Sequence, residues 1–84
     1  MPTTEVFAQL RSVFAEQFEL EGETMRLEAR LVADLELDSL DFAALGTEIE
    51  GRMGVVLDEN DVRDCETLSD LVDRVAARIS KLDR

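Results

Sequence analysis

The chain has 84 residues, of which 45% are hydrophobic and 35% charged, with a formal net charge of -11, one cysteine and no histidine. This composition predicts one small globular domain, spanning 1–84, and excludes an internal disulfide, a histidine-based catalytic centre and a cysteine-rich metal site. The acidic surface disfavours nucleic acid and anionic membranes as partners and favours basic protein surfaces.

The amino-terminal segment MPTTEVFAQL has neither a basic region nor a long apolar run, so we expect no signal peptide. No stretch of the sequence approaches the length of a membrane-spanning helix. The single thiol, Cys65, fits a reducing compartment and is expected to be a small buried hydrophobic residue. We therefore expect a cytoplasmic protein, and we expect it to be a monomer.

Residues 4–18 are predicted to form the first helix, because apolar residues recur there at steps of three and four. Either Thr3 or Thr4 is expected to cap its start. The apolar stripe consists of Val6, Phe7, Leu10, Val13, Phe14 and Phe18.

Residues 19–38 follow no clean period and form a long connection by ordinary standards. Gly22 interrupts the helical pattern, but several leucines follow it. These leucines predict that the segment lies pinned over the core and is not a free linker. A short helical turn is predicted around Glu28 to Val32.

A second helix is predicted from about Ser39 to Met53, and Gly54 follows where a helix often ends in a left-handed residue. Gly46 and Gly51 lie inside it, and each costs about 1 kcal/mol relative to alanine. This helix is therefore expected to depend on packing. Its apolar stripe consists of Phe42, Leu45, Ile49 and Met53.

The polar stretch Asp58 to Asp64 is too short for a full amphipathic helix, and we predict one or two helical turns there. The last helix has the clearest stripe, and Thr67 precedes it with Asp70 three residues on, the spacing of a capping box. The predicted fold is all-α: a small four-helix bundle of three long helices and one short one, with a long first loop. The last stripe consists of Leu68, Leu71, Val72, Val75, Ala76, Ile79 and Leu82.

Ser39 lies at the predicted start of the second helix, directly after Asp38. Unpaired backbone N–H groups and partial positive charge make a helix start a favourable place for a phosphate ester. The like charges of Asp38 and Asp41 oppose it, although exposure and salt soften the repulsion. No histidine is present to activate the hydroxyl, so another enzyme would have to attach the group. The alternative interpretation is that Asp38 or Ser39 only caps the helix.

The whole pattern resembles an acyl carrier protein, and more broadly the phosphopantetheine-carrier family, over nearly the full length of the chain. An acidic chain without histidine agrees with a free-standing carrier. No single element is specific, but their joint spacing is. The matching features are Asp38, Ser39 and Leu40 followed by Asp41, a helix carrying Ile49, an acidic short segment from Asp58, and Thr67 before the closing helix.

This resemblance implies a shuttle and not an enzyme. A phosphopantetheinyl transferase, typically using Mg²⁺, would move 4'-phosphopantetheine from coenzyme A onto the Ser39 oxygen. The thiol of this arm would hold acyl intermediates as thioesters for the enzymes of fatty-acid or polyketide-type pathways, such as an acyl-loading enzyme or a ketosynthase. The alternative cargo is that of a peptidyl or aminoacyl carrier protein.

The resemblance also implies that the exposed side of the second helix meets partner enzymes. Ala44 and Gly51 stand where fatty-acid carriers commonly have glutamate, so we expect partners to rely less on salt bridges and more on apolar contact. The alternative is a solvated helix face, since surface charges usually contribute little. The implied recognition residues are Asp38, Leu40, Asp41, Ala43, Ala44, Thr47, Glu48 and Glu50.

Gly46 has two interpretations in such a carrier. The missing side chain permits close helix packing, which we favour, or leaves room for an acyl chain between the helices.

Three other functions compete with that of a carrier. A calcium loop in DENDVRDCETLS would need an oxygen ligand, glycine and glutamate where Val62, Arg63 and Ser69 stand. A hydrolase using Ser39 lacks a visible base. A helical interaction module without a prosthetic group would keep the core stripes and acidic surface but would not need Ser39.

Overall fold

Four α-helices form the bundle in the computed structural model, which describes residues 2–82. They are α1 (Thr3–Phe18), α2 (Ser39–Met53), α3 (Glu59–Arg63) and α4 (Leu68–Leu82), with a short 3-10 helix at Gly22–Thr24. This arrangement confirms the predicted small all-α bundle of three long helices and one short one. Within the described range, no helix combines the length and apolar character needed to cross a membrane.

The apolar stripes of the three long helices meet in one core. Helix α1 contacts both α2 and α4, while α3 packs against α2. Full burial of each large apolar side chain contributes about 1.5–3 kcal/mol, which exceeds the differences in local helix preference. Leu82 is the last member of the predicted stripe, and its side chain is not among those that the structure describes. The buried stripe residues are Val6, Leu10, Val13, Phe14, Phe42, Leu45, Ile49, Leu68, Leu71, Val72, Val75 and Ile79.

The start of α1 differs from the prediction. Pro2 is the N-cap residue, and no side chain makes a capping hydrogen bond there. The carbonyl oxygen of Pro2 accepts from the N–H groups of Glu5 at 3.0 Å and Val6 at 3.1 Å. The expected cap at Thr3 or Thr4 is therefore wrong, because both threonines already lie inside the helix.

The long connection between α1 and α2 is pinned over the core, as its leucines predicted. Its short regular helix lies at Gly22–Thr24, and a turn covers 31–35, so the predicted turn around Glu28 to Val32 is misplaced. Burial, and not a helical period, fixes this segment. Its buried side chains are Met25, Ala29, Leu31, Leu35 and Leu37.

Backbone hydrogen bonds also tie this connection to the start of α4. The N–H of Leu31 donates to the Glu66 carbonyl, and the N–H of Leu68 donates to the Ala29 carbonyl, both at 2.9 Å. Because these bonds satisfy backbone groups at the first turn of α4, the loop serves as part of the cap of that helix.

Gly46 allows a close approach between α2 and the segment before α3. Gly46 is buried, and a Cβ atom built there would lie 2.7 Å from the carbonyl oxygen of Leu57. This geometry agrees with the close-packing interpretation and leaves no room for an acyl chain at that point. Gly51 has open space around its missing side chain.

We expect Gly46→Ala to destabilise the protein by about 1–3 kcal/mol, because the added methyl group collides with backbone. The gain in helix preference, at most about 1 kcal/mol, does not offset the collision. Gly51→Ala is the matched control in the same helix and is expected to stabilise by about 0.5–1 kcal/mol. Urea unfolding of both variants tests this; equal stabilisation by the two substitutions would contradict the close contact.

Candidate functional site

The start of α2 is closed by a reciprocal capping box. Asp38 is the N-cap residue, and its carboxylate accepts from the Asp41 N–H at 3.0 Å. The Asp41 carboxylate in turn accepts from the Asp38 N–H at 3.1 Å. Asp38 is thus the cap, and Ser39 is the first residue inside the helix. The cap explains Asp38 and Asp41, but it does not use the Ser39 hydroxyl.

The Ser39 side chain is exposed, and its hydroxyl contacts one basic residue. The Nη2 group of Arg63, on α3, donates to Ser39 Oγ at 3.2 Å. The same Nη2 group donates to Glu59 Oε1 at 2.8 Å, one helical turn back along α3. Sequence reasoning missed Arg63. The Glu59–Arg63 spacing indicates an ion pair along a helix, but nothing in the sequence places that pair beside Ser39.

Helix α3 has only five residues, too few to be stable alone, so tertiary contacts must hold it. Val62 is buried in the core. Asp58 and Asp61 form a second reciprocal capping box, with bonds of 2.9 and 3.2 Å. The Asp61 carboxylate also accepts from Arg74 at 3.2 Å and from Arg78 at 2.9 Å. These contacts fasten α3 to α4 and thereby fix where Arg63 can reach.

The pKa of the Asp61 carboxyl is lowered. The hydrogen bond from the Asp58 N–H is the largest cause, and the charges of Arg78 and Arg74 add to it against the opposing effect of burial. A carboxylate held in its charged form by such partners stabilises the folded state at neutral pH. Asp61 is thus a structural residue that holds α3, and with it Arg63, against α4.

The apolar members of the expected partner surface are accessible. Leu40 is 81% exposed, and Ala43, Ala44 and Glu50 are also exposed along α2. A large aliphatic side chain left this open next to Ser39 is available for contact with another protein.

Other members of that surface are engaged within the chain. Asp41 is part of the capping box, and Glu48 accepts from Arg52 Nε at 3.4 Å. The Thr47 hydroxyl donates to the Ala43 carbonyl at 3.1 Å. Because these groups already have partners, fewer of the predicted polar contacts are free to meet an enzyme.

The residues around Ser39 leave room for a group attached to its oxygen, but they supply no base that would activate the hydroxyl as a nucleophile. The chain has no histidine, and both nearby aspartates serve as caps. Cys65 is buried, and burial raises the pKa of its thiol, so it is a poor nucleophile. Among the described residues, no cluster of three or more acidic, cysteine or histidine side chains could hold a metal ion.

Comparison with known proteins supplies the function that this geometry accommodates. The family model described as the phosphopantetheine attachment site matches residues 8–75, from within α1 to within α4. The chain belongs to the acyl carrier proteins, the phosphopantetheine-bearing family. The predicted family and prosthetic group are therefore confirmed, and this protein is a carrier and not an enzyme. The interaction module without a prosthetic group is excluded.

Similar proteins from several organisms bear the name acyl carrier protein. The acyl carrier protein MbtL of Mycolicibacterium paratuberculosis is 37% identical, over 90% of this chain and 85% of its own length. The acyl carrier protein of Borrelia garinii is 31% identical, over 93% of this chain and 98% of its own. The acyl carrier protein of Thermotoga maritima is 29% identical, over 89% of this chain and 93% of its own length. Membership of this family implies work with biosynthetic enzymes and with a phosphopantetheinyl transferase.

We expect Asp61→Asn to destabilise the carrier by about 1 kcal/mol near pH 7, since the amide cannot form the ion pairs with Arg74 and Arg78. The folded-state pKa is below the unfolded value of about 3.9. The carboxylate therefore contributes stability above that value and loses it as the pH falls through the folded pKa.

Urea unfolding at about pH 7 and at about pH 3 checks this expectation. The difference between wild type and Asp61→Asn should shrink at the lower pH. Asp73→Asn, on the exposed side of α4, is the control and should show a small effect at both. If the free energy of unfolding of Asp61→Asn lay below that of wild type by the same amount at both pH values, a charge-based role of Asp61 would be ruled out.

Proposed function

We propose that the hydroxyl of Ser39 is the attachment point of the phosphopantetheine arm. The chain has four serines. Ser12 and Ser80 are exposed but lie in the middle of α1 and near the end of α4, where a helix offers a phosphate no free N–H groups. Ser69 is half-buried in the first turn of α4. Ser39 alone is both exposed and at the first position of a helix.

The observation that carries this proposal is that Asp38 and Asp41 cap α2 while the Ser39 hydroxyl takes no part in the cap. Asp38 and Asp41 satisfy the helix cap between them, so the Ser39 oxygen can be esterified without breaking the helix. The partial positive charge of the helix start favours the phosphate. The contact from Arg63 adds a second positive group at the same oxygen.

In the attachment reaction, the Ser39 oxygen attacks the phosphorus that bears the pantetheine arm in the pyrophosphate of coenzyme A. A new Oγ–P bond forms, the pyrophosphate P–O bond breaks, and adenosine bisphosphate leaves. The hydroxyl proton goes to a base of the transferase, because this chain supplies no histidine and its nearby carboxylates are engaged in the cap. The carrier contributes the nucleophilic oxygen and its position.

The proposed cargo is an acyl group of a fatty-acid or polyketide-type pathway, loaded by an acyl-transferring enzyme and used by a ketosynthase. The descriptions of the relatives as acyl carrier proteins support this over a peptidyl or aminoacyl cargo. We propose a cytoplasmic location, since a reducing compartment keeps the thiol of the arm free. Identification of the thioester on protein isolated from its native host would test the cargo.

Incubation with coenzyme A and a broad-range phosphopantetheinyl transferase tests the attachment site. Intact-protein mass spectrometry should show the gain of one phosphopantetheine on the wild type and none on Ser39→Ala. Ser12→Ala is the matched control and should be modified as the wild type is. Modification of Ser39→Ala, with both variants folded by circular dichroism, would place the arm elsewhere.

The docking surface of α2 is proposed to be mainly apolar, centred on Leu40 with Ala43 and Ala44. We expect Leu40→Ala to raise the KM of the transferase about tenfold, the effect of losing roughly 1.4 kcal/mol of apolar contact. Glu50→Gln should change it less than about threefold, and salt should erase that change. Glu50 is the cleaner charge test, since Asp41 also caps the helix.

Initial rates at varied carrier concentration, at low and high salt, measure both effects. Ser80→Ala, at the far end of α4, serves as the neutral control. A large loss from Glu50→Gln that disappears with salt, beside a negligible loss from Leu40→Ala, would show that charge dominates docking.

A further inference from the structure

Arg63 contacts the oxygen at which we propose that the arm is attached. Its Nη2 group lies 3.2 Å from Ser39 Oγ, across 24 positions of sequence. The ion pair with Glu59 at 2.8 Å and the position of Arg63 in the last turn of α3 explain why a basic residue suits that helix. Neither explains why its guanidinium reaches across to α2.

The negative charge of the phosphodiester makes this contact consequential. Once attached, the phosphate brings an anionic group beside the carboxylates of Asp38 and Asp41, on a chain with a net charge of -11. Like charges this close are unfavourable unless a cation or hydrogen-bond donors offset them. The helix start offers partial charge only, whereas Arg63 offers a full charge.

The geometry also permits the contact after attachment. The phosphorus is bonded directly to Ser39 Oγ, so its free oxygens lie around an atom that Arg63 already touches. Among the described residues, the contacts of Arg63 with Ser39 and Glu59 both use Nη2, which leaves Nη1 and Nε to donate. A planar guanidinium with several donors binds phosphate oxygens in pairs.

We propose that Arg63 is a phosphate-binding residue of the loaded carrier, which exchanges its contact with Glu59 for the phosphodiester and fixes the base of the arm against α3. Arg63 is a positioning residue, and this inference rests on the proposed attachment to Ser39. In the unmodified protein its contacts are exposed and contribute little to stability. In the modified protein the same side chain restrains the arm.

The test compares unmodified and modified forms of four proteins: wild type, Arg63→Gln, Glu59→Gln and the control Arg52→Gln. Arg52 also forms a pair with a glutamate one turn away, Glu48, and a second pair with Glu16 of α1, but at the far end of α2. The pair with Glu16 is lost from both forms of the control, so it cancels in the change on modification. Each protein is converted with excess transferase and coenzyme A, and its mass is verified. The readouts are the Tm of both forms and the ³¹P resonance of the phosphodiester.

We expect the change in Tm on modification to be about 4 °C less favourable in Arg63→Gln than in wild type. The ³¹P resonance of Arg63→Gln should also move toward that of the unfolded modified protein. Arg52→Gln should resemble wild type in both readouts. The change in Tm of Glu59→Gln should equal or exceed that of wild type, because this substitution frees Arg63 for the phosphate. If Arg63 only formed an ion pair with Glu59, the substitutions Glu59→Gln and Arg63→Gln would have equal effects.

Two results would overturn the role of Arg63, and a third would overturn the attachment on which that role rests. An Arg63→Gln protein that matches wild type in Tm change and ³¹P resonance shows that Arg63 does not bind the phosphate. A folded Arg63→Gln protein that resists modification assigns Arg63 to transferase recognition instead. Failure of the wild type itself to gain mass would count against the attachment at Ser39, and is thereby distinguished from failure of the role of Arg63.

Discussion

The carboxylates of Asp38 and Asp41 each accept from the other residue's backbone N–H at the start of α2, and the rest of the site depends on this exchange of hydrogen bonds. A serine at a helix start commonly serves as the cap itself, and its oxygen is then committed to the backbone. Here the cap lies one residue earlier, at Asp38. The Ser39 oxygen is therefore left facing solvent, on a rigid element, where an enzyme can reach it.

The second constraint is the position of α3, which faces the start of α2. A five-residue helix cannot hold its own position, so two further contacts determine it besides the burial of Val62. The backbone before α3 lies against Gly46, where even a methyl group would collide with the Leu57 carbonyl. Asp61 then joins α3 to Arg74 and Arg78 of α4. Packing on one side and ion pairs on the other bring Arg63 to Ser39.

The periodic parts of this fold could be predicted from sequence, because burial of apolar stripes decides where long helices lie. The bounds Ser39 to Met53 match those of α2, and Gly54 ends it in the left-handed conformation with a φ of 69°. The start of α1 could not be predicted by the usual preference for threonine, because the backbone of Pro2 supplies the acceptors instead. Local preference is weak wherever several residues can cap the same turn.

Contacts between segments that are far apart along the chain could not be predicted from the sequence. The pairing of Arg30 with Thr67 and the contact of Arg63 with Ser39 depend on how the loop and α3 settle on the core, which no local pattern encodes. The engagement of Glu48 by Arg52, by contrast, follows a four-residue spacing. That spacing was a usable signal that Glu48 is less free for partners than its charge suggests.

Three arginines lie on α3 or contact it, and they separate into two groups by what their loss would cost. Arg74 and Arg78 are partly buried against Asp61, so they support the fold whether or not the arm is present. Arg63 is half-exposed, and in water such a contact has little value by itself. Its value would rise when a phosphate is fixed next to it, because the proposed attachment at Ser39 would remove the entropy cost of bringing the two charges together. Under this proposal, different arginines stabilise the fold and restrain the arm.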